Sequence, residues 1–180
     1  IAKNEDMVPV MDICCGSGNL GLAVTYHNSK VKLYASDLSE DAVLLARDNM
    51  HLLGLQQRGQ IEKGNLFSAF DNDKYYENID LIICNPPYIT TAKVPKMEEE
   101  IAVHEPALAF DGGMFGFKII QMLIDKAPEL LVKSGWLIFE VGLGQGEFIM
   151  RLCERTNKYK KNEPVSDDQG NIRVIMAQKG

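Results

Sequence analysis

Two segments of the chain carry residue types that can do chemistry. The first, Asp12-Ile13-Cys14-Cys15-Gly16-Ser17-Gly18-Asn19-Leu20-Gly21, reads as a glycine-rich turn from a strand into a helix. Glycines lack a Cβ and let the backbone come close to a ligand, and the unbonded amides of a helix start attract polar groups. Asp37 follows about twenty residues on, the separation at which a carboxylate can accept hydrogen bonds from both ribose hydroxyls of an adenosine. Gly16, Gly18 and Gly21 also spell the G-x-G-x-x-G of nicotinamide sites, so two enzyme classes share these signals. Asp12 separates them. Placed before Gly16, its carboxylate would face the phosphates of a dinucleotide, whereas it can meet the cationic amino-acid end of S-adenosylmethionine. Charge complementarity favours the sulfonium cofactor, which leaves as S-adenosylhomocysteine.

The second segment is Asn85-Pro86-Pro87-Tyr88. Consecutive prolines fix the backbone and remove amide donors, so carbonyl groups can point into a cleft as free acceptors. An incoming NH2 group can then be held by the Asn85 side-chain oxygen and the Pro86 carbonyl. Tyr88 offers an aromatic face on which a planar amide or base can lie. Methyl transfer from a sulfonium is an in-line displacement, so alignment and acceptor dipoles are the main levers. Alignment alone can lower such a barrier by roughly 7–11 kcal/mol. Asn85, Pro86 and Tyr88 are therefore the expected catalytic residues. A rigid turn is the plain alternative for any such tetrapeptide, but a position after a buried strand, beside a glycine loop, is where open α/β sheets bind ligands.

A third stretch, Gly64-Asn65-Leu66-Phe67, follows another apolar run. Asn65 has two readings: an amide oxygen that accepts from the adenine amino group, and a turn residue closing its strand. The expected cofactor set is Asp12, Cys14, Gly16, Gly18, Asp37, Leu38, Asn65, Leu66 and Asn85.

These residues need a scaffold. Short apolar runs alternate with longer amphipathic stretches, the pattern of a mostly parallel sheet with helices on both faces. Strands are expected over Val8–Ile13, Val31–Ser36, Gln60–Lys63, Ile79–Cys84, Trp136–Val141 and Arg173–Ala177, the last paired through a turn near Asp168-Gln169-Gly170. Helices are expected over Asn19–Tyr26, Ser39–Leu53 with Ser39 as its N-cap and Gly54 as its stop, Phe117–Leu131 with Pro128 bending its last turn, and Phe148–Thr156. The long connection from Ile89 to Met114, holding Pro95, Pro106, Gly112 and Gly113, reads as a lid or substrate loop.

At 180 residues the chain fits one domain. Its 46% hydrophobic and 24% charged content excludes a disordered or fibrous chain. No apolar run reaches the roughly 18 residues of a membrane span, and the opening residues lack a signal-peptide core, which suggests a cytoplasmic protein. The first strand arrives so early that the chain reads as an excerpt, with an N-terminal substrate-binding domain missing. Cys14, Cys15, Cys84 and Cys153 form no C-x-x-C pair and read as free thiols, and the three histidines have no ligand-like spacing, so no metal is expected.

Together these pieces resemble class I methyltransferases of the HemK or PrmC type, protein-(glutamine-N5) methyltransferases acting on peptide chain release factors. The likeness covers nearly the whole chain, from the Asp12 glycine loop, Asp37 and Asn85 to Tyr88, through Glu105-Pro106-Ala107-Leu108-Ala109, to Gly135-Trp136, Glu140-Val141-Gly142 and Gly144-Gln145-Gly146. It implies a Rossmann-like seven-stranded sheet with an antiparallel last strand. It also implies that the glutamine of a Gly-Gly-Gln loop enters a pocket at Asn85, Pro86 and Tyr88, with Pro87, Glu105 and Pro106 on the substrate side. Cys14 stands where the family's first loop glycine often lies, Asn65 replaces a frequent acid, and Phe115 falls where related chains often have Asp.

Two other readings stay open. Asn-Pro-Pro-Tyr also occurs in enzymes that methylate exocyclic amino groups of DNA or RNA bases. A net charge of −6, with Glu98-Glu99-Glu100 in the expected substrate loop, disfavours a phosphate backbone and favours a protein partner. A non-catalytic module that binds S-adenosylmethionine is the other alternative.

Overall fold

The computed structural model describes residues 7–87 and 117–180. Seven strands are joined into one sheet: β1 Val8–Ile13, β2 Val31–Asp37, β3 Gly59–Lys63, β4 Ile79–Cys84, β5 Leu131–Glu140, β6 Tyr159–Ser166 and β7 Ile172–Lys179, in the order β3-β2-β1-β4-β5-β7-β6. Every pairing from β3 to β5 is parallel, and β7 runs antiparallel to both β5 and β6. The expected seven strands and antiparallel last strand are present. The chain winds outward from β1 to β3 and then returns to start β4 on the other side of β1, which makes the β1–β4 boundary a topological switch point.

Among the described residues the helices are α1 Asn19–His27, α2 Glu40–Leu52, α3 Phe117–Leu130 and α4 Gly146–Arg155. Ile120, Leu123 and Ile124 of α3 and Ile149 of α4 join Met11, Ile13, Ile82, Leu137, Phe139 and Ile175 in the largest buried cluster. Val43, Ala46 and Met50 of α2 join Leu33, Ala35 and Ile61 in a second. Burying each such large side chain contributes about 1.5–3 kcal/mol, so the apolar runs that mark the strands also fix which face each helix covers.

Local signals set most boundaries. Ser39 caps α2, its hydroxyl accepting the Ala42 N–H at 3.3 Å. Gly54 takes φ 67°, and paired bonds from the Gly54 N–H to the His51 carbonyl and the Leu55 N–H to the Met50 carbonyl close the helix. Pro128 lies in the last turn of α3. α4 begins two residues before Phe148, because a turn over Gly142–Gln145 delivers Gly146 directly into the helix.

The start of β5 differs from the expectation at Trp136. Leu131 pairs with Ile79 straight from the end of α3, the chain then bulges with Ser134 at φ 65°, and Trp136 rejoins opposite Leu81. Strand β6 is the outer edge, with exposed Lys160, Lys161 and Pro164. At the other edge, Arg47 of α2 donates from Nε and Nη2 to the Ile61 carbonyl at 2.9 and 2.6 Å. The expected lid at 89–114 lies outside the described residues.

Candidate active site

The registers set one row of residues across the sheet: Glu62, Ser36, Ile13, Cys84 and Phe139. Each strand in this row runs the same way. Just beyond it come Cys14 after β1, Asp37 at the end of β2, Gly64 and Asn65 after β3, and Asn85 after β4. The glycine turn and the diproline corner therefore leave adjacent strands at the same edge, on either side of the switch point.

The glycine turn is held by bonds from outside itself. Cys14, Gly16 and Gly18 take φ of 59°, 54° and 83°, the left-handed region that glycine enters freely and other residues rarely. Asp37 fastens the turn: its Oδ2 accepts the Gly16 N–H and its Oδ1 the Ser39 N–H, each at 2.9 Å. The Asn49 side chain of α2 donates to the Ser17 carbonyl at 3.0 Å. A Cβ at Gly16 would meet nothing within 4 Å, so this backbone faces open space. At Gly18 it would strike Leu22 at 2.8 Å, so that glycine permits packing.

Asp12 lies beneath the turn. It pairs in register with Ala35 and Ile83, is 1% exposed, and its Oδ2 accepts the Gly21 N–H at 2.8 Å. Burial pushes its pKa up to about 7; the Gly21 bond opposes this and the Asp37 charge adds to it. A cation above the turn would meet its charge through the loop and not across open water.

Leu38, 47% exposed, sits beside Asp37. Asn65 closes its turn through the backbone, its N–H donating to the Ser68 hydroxyl at 2.8 Å and its carbonyl accepting the Ser68 N–H at 3.1 Å. Its side chain is exposed, so the turn reading and an acceptor role are compatible. Leu66 takes φ 51°, and its carbonyl accepts the hydroxyl of buried Ser36 at 2.7 Å. Asn85 is exposed, Pro86 buried and Pro87 half-buried. Tyr88, Glu105 and Pro106 lie outside the described residues.

Two supports escaped the sequence reading. Ser36 and Asn49 tie the third turn and the glycine turn to the sheet and to α2. A polar residue directly before Asp37 in an apolar run was the available signal for Ser36. Asn49 had none, because its partner is 32 positions away. At the next strand end, Arg173 Nη2 donates to Glu140 Oε1 at 2.8 Å.

An open sheet of this order, a glycine turn at its first strand and an acid closing its second define a Rossmann-like class I methyltransferase domain, whose cofactor is S-adenosylmethionine. The chain belongs to the methyltransferase small domain family, whose profile matches residues 2–115. It is 32% identical over 168 residues to a release factor glutamine methyltransferase of Thermosynechococcus vestitus, covering 93% of this chain and 57% of that protein. It is 37% identical over 136 residues to a ribosomal protein uL3 glutamine methyltransferase of Bradyrhizobium diazoefficiens, covering 76% of this chain and 41% of the relative. The chain thus spans little more than half, or less, of these curated relatives. In structure it is similar to a methyltransferase from Pyrococcus furiosus, with TM-score 0.68 and 15% identity over 97% of this chain and 76% of that one. It is also similar to M. capricolum TrmK in complex with S-adenosyl-homocysteine, with TM-score 0.63 and 15% identity over 97% and 63%. Among the described residues, no helix is long and apolar enough to cross a membrane.

Proposed function

We propose that this domain, as part of its full-length protein, transfers a methyl group from S-adenosylmethionine to the side-chain amide nitrogen of a glutamine in a protein, with the Gly-Gly-Gln loop of a peptide chain release factor as the substrate. The observation that carries this reading is the shared edge: Cys14, Asp37 and Asn85 each follow directly on one row of paired residues. The residues fit the cofactor. Asp37 keeps lone pairs for ribose hydroxyls after accepting two backbone amides, Gly16 leaves open space over the turn, and Asp12 supplies negative charge below it. Leu38, Asn65 and Leu66 line the adenine side, while Cys14, Gly18 and Asn85 complete the cradle.

Bound there, S-adenosylmethionine supplies an electrophilic methyl group on a sulfonium. The protein's part is alignment. The Asn85 side-chain oxygen and the Pro86 carbonyl accept the two N–H groups of the glutamine amide, which holds its nitrogen in line with that methyl group. Accepting those bonds also favours the positive charge that gathers on nitrogen as the new bond forms. Tyr88 and Pro87 flank the amide plane, and Glu105 and Pro106 contact the rest of the substrate. The single domain works in a cytoplasmic protein.

The relatives named for release factor and for ribosomal protein uL3 support protein glutamine as the acceptor class. The net charge of −6 works against a nucleobase acceptor in a phosphate chain. The deciding experiment presents full-length enzyme and tritiated S-adenosylmethionine with purified release factor, ribosomal protein uL3, DNA and RNA. Label is expected in the release factor at its Gly-Gly-Gln glutamine. Label in uL3 alone would move the substrate, and label in nucleic acid alone would reject the protein reading.

A further inference from the structure

Two thiols lie where the cofactor turn and the diproline corner leave the sheet. Ile13 and Cys84 are register partners in the parallel β1–β4 pair, and Cys14 follows directly on the end of β1. With strands about 4.8 Å apart and about 3.3 Å per residue along them, the Cys14 and Cys84 Cα atoms are about 6 Å apart. That falls inside the range of about 4.4–6.8 Å that a disulfide spans. The side chains turn the same way: Cys84 belongs to the cluster around Ile13 and Phe139, and Cys14 packs against that cluster. Cys14 lies near enough to the Cys84 thiol to be among the neighbours that raise its pKa, after burial. Cys15 points elsewhere, into the cluster under α2.

We infer that Cys14 and Cys84 form an oxidative modification site for hydrogen peroxide, at which the two sulfurs join and the cofactor turn is pulled from its binding shape. Cys14 is half-buried and Cys84 is 2% exposed, so peroxide reaches Cys14 first. The peroxide O–O bond breaks, oxygen joins the Cys14 sulfur, and water leaves, giving a sulfenic acid. The Cys84 sulfur then attacks the Cys14 sulfur; the S–S bond forms, the S–O bond breaks, and the hydroxyl departs as water with the Cys84 proton. Two thiols are oxidised and one peroxide is reduced to two waters. Burial pushes the Cys84 thiol well above the ordinary thiol range, which suits the slower, resolving partner.

The backbone makes this pair a lever. Cys14 holds φ 59° with a side chain attached, a conformation that its surroundings must maintain. Drawing its sulfur to covalent distance from the Cys84 sulfur moves it toward β4. Two residues on, the Gly16 N–H then loses its bond to Asp37. The effect on binding rests on the reading of this turn as the cofactor site; formation of the bond does not.

The test treats the full-length protein with hydrogen peroxide and follows both mass and affinity for S-adenosylhomocysteine. Expected are loss of two hydrogens, a cross-linked peptide joining Cys14 to Cys84, and an affinity lower by about tenfold or more, all reversed by dithiothreitol. Cys84→Ala should bind S-adenosylhomocysteine before treatment and, under peroxide, carry a dimedone-reactive sulfenic acid at Cys14 in place of the cross-link. Absence of the cross-link in the wild type overturns the thiol pair. A cross-link that leaves affinity unchanged overturns the lever. A wild type that binds no S-adenosylhomocysteine before oxidation removes the cofactor reading, while the mass result still decides the pair.

Discussion

The glycine turn and the diproline corner leave neighbouring strands, yet they keep their shapes by different means. The turn borrows its rigidity: Asp37 and Asn49, from β2 and α2, hold two of its backbone groups, and Asp12 braces it from below. The corner carries its own, because two proline rings fix successive φ angles and Pro86 is buried. A site whose shape is lent by distant residues can be damaged from far away. One whose shape is written into its own sequence fails mainly when its own residues change.

The sharpest way to break this comparison is Asp37→Ala. Losing the charge-assisted bonds to Gly16 of the turn and to Ser39 at the start of α2, and the ribose contacts, should weaken S-adenosylmethionine binding by about 1000-fold, or about 4 kcal/mol. Unchanged affinity in calorimetry would remove Asp37 from the site. Asn85→Ala should lower kcat by about 100-fold with a much smaller loss of S-adenosylhomocysteine affinity; full turnover would reject the alignment mechanism.

A smaller effect comes from Asp12, which titrates near pH 7 in the folded chain and near pH 4 unfolded. Between those values the folded state holds a proton that the unfolded state has lost, so stability falls as pH rises from about 4 to about 7 and then levels. A cationic ligand favours the ionised carboxylate, so affinity should drop about tenfold from about pH 8 to about pH 6. A flat profile would show that this charge is not felt above the turn. The smallest effect is expected from Asn49→Ala, which removes the tie to Ser17: affinity weaker by about fivefold, or about 1 kcal/mol, with kcat unchanged. A loss of kcat without loss of affinity would contradict the division of labour between the two corners.

The same difference explains what could be read from the residues alone. Strands β1 and β4 were legible because short, mostly apolar runs give way to glycines or prolines, and the corner was legible because its constraint is local. Strand β6 was implied only by its hairpin turn, since Tyr159-Lys160-Lys161-Asn162-Glu163-Pro164-Val165-Ser166 is polar and half exposed, as an edge strand is. The start of β5 was missed because residues 132–135 bulge out of an otherwise continuous strand. The position of Asp12 under α1 depends on which side of the sheet it points to, and only the register with Ala35 and Ile83 decides that. Ser36 and Asn49 act on partners about thirty residues away, beyond the reach of any local pattern.

The two borders of the sheet bear on how the molecule behaves in a crowd. Along β6, Pro164 interrupts the line of amide donors, and Lys160 and Lys161 add positive charge beside it. On β3, Arg47 already occupies the Ile61 carbonyl that a visiting strand would seek. Neither margin offers a clean template for strand addition, so a sheet this rich in apolar residues can remain dispersed at high concentration without chains adding to its ends.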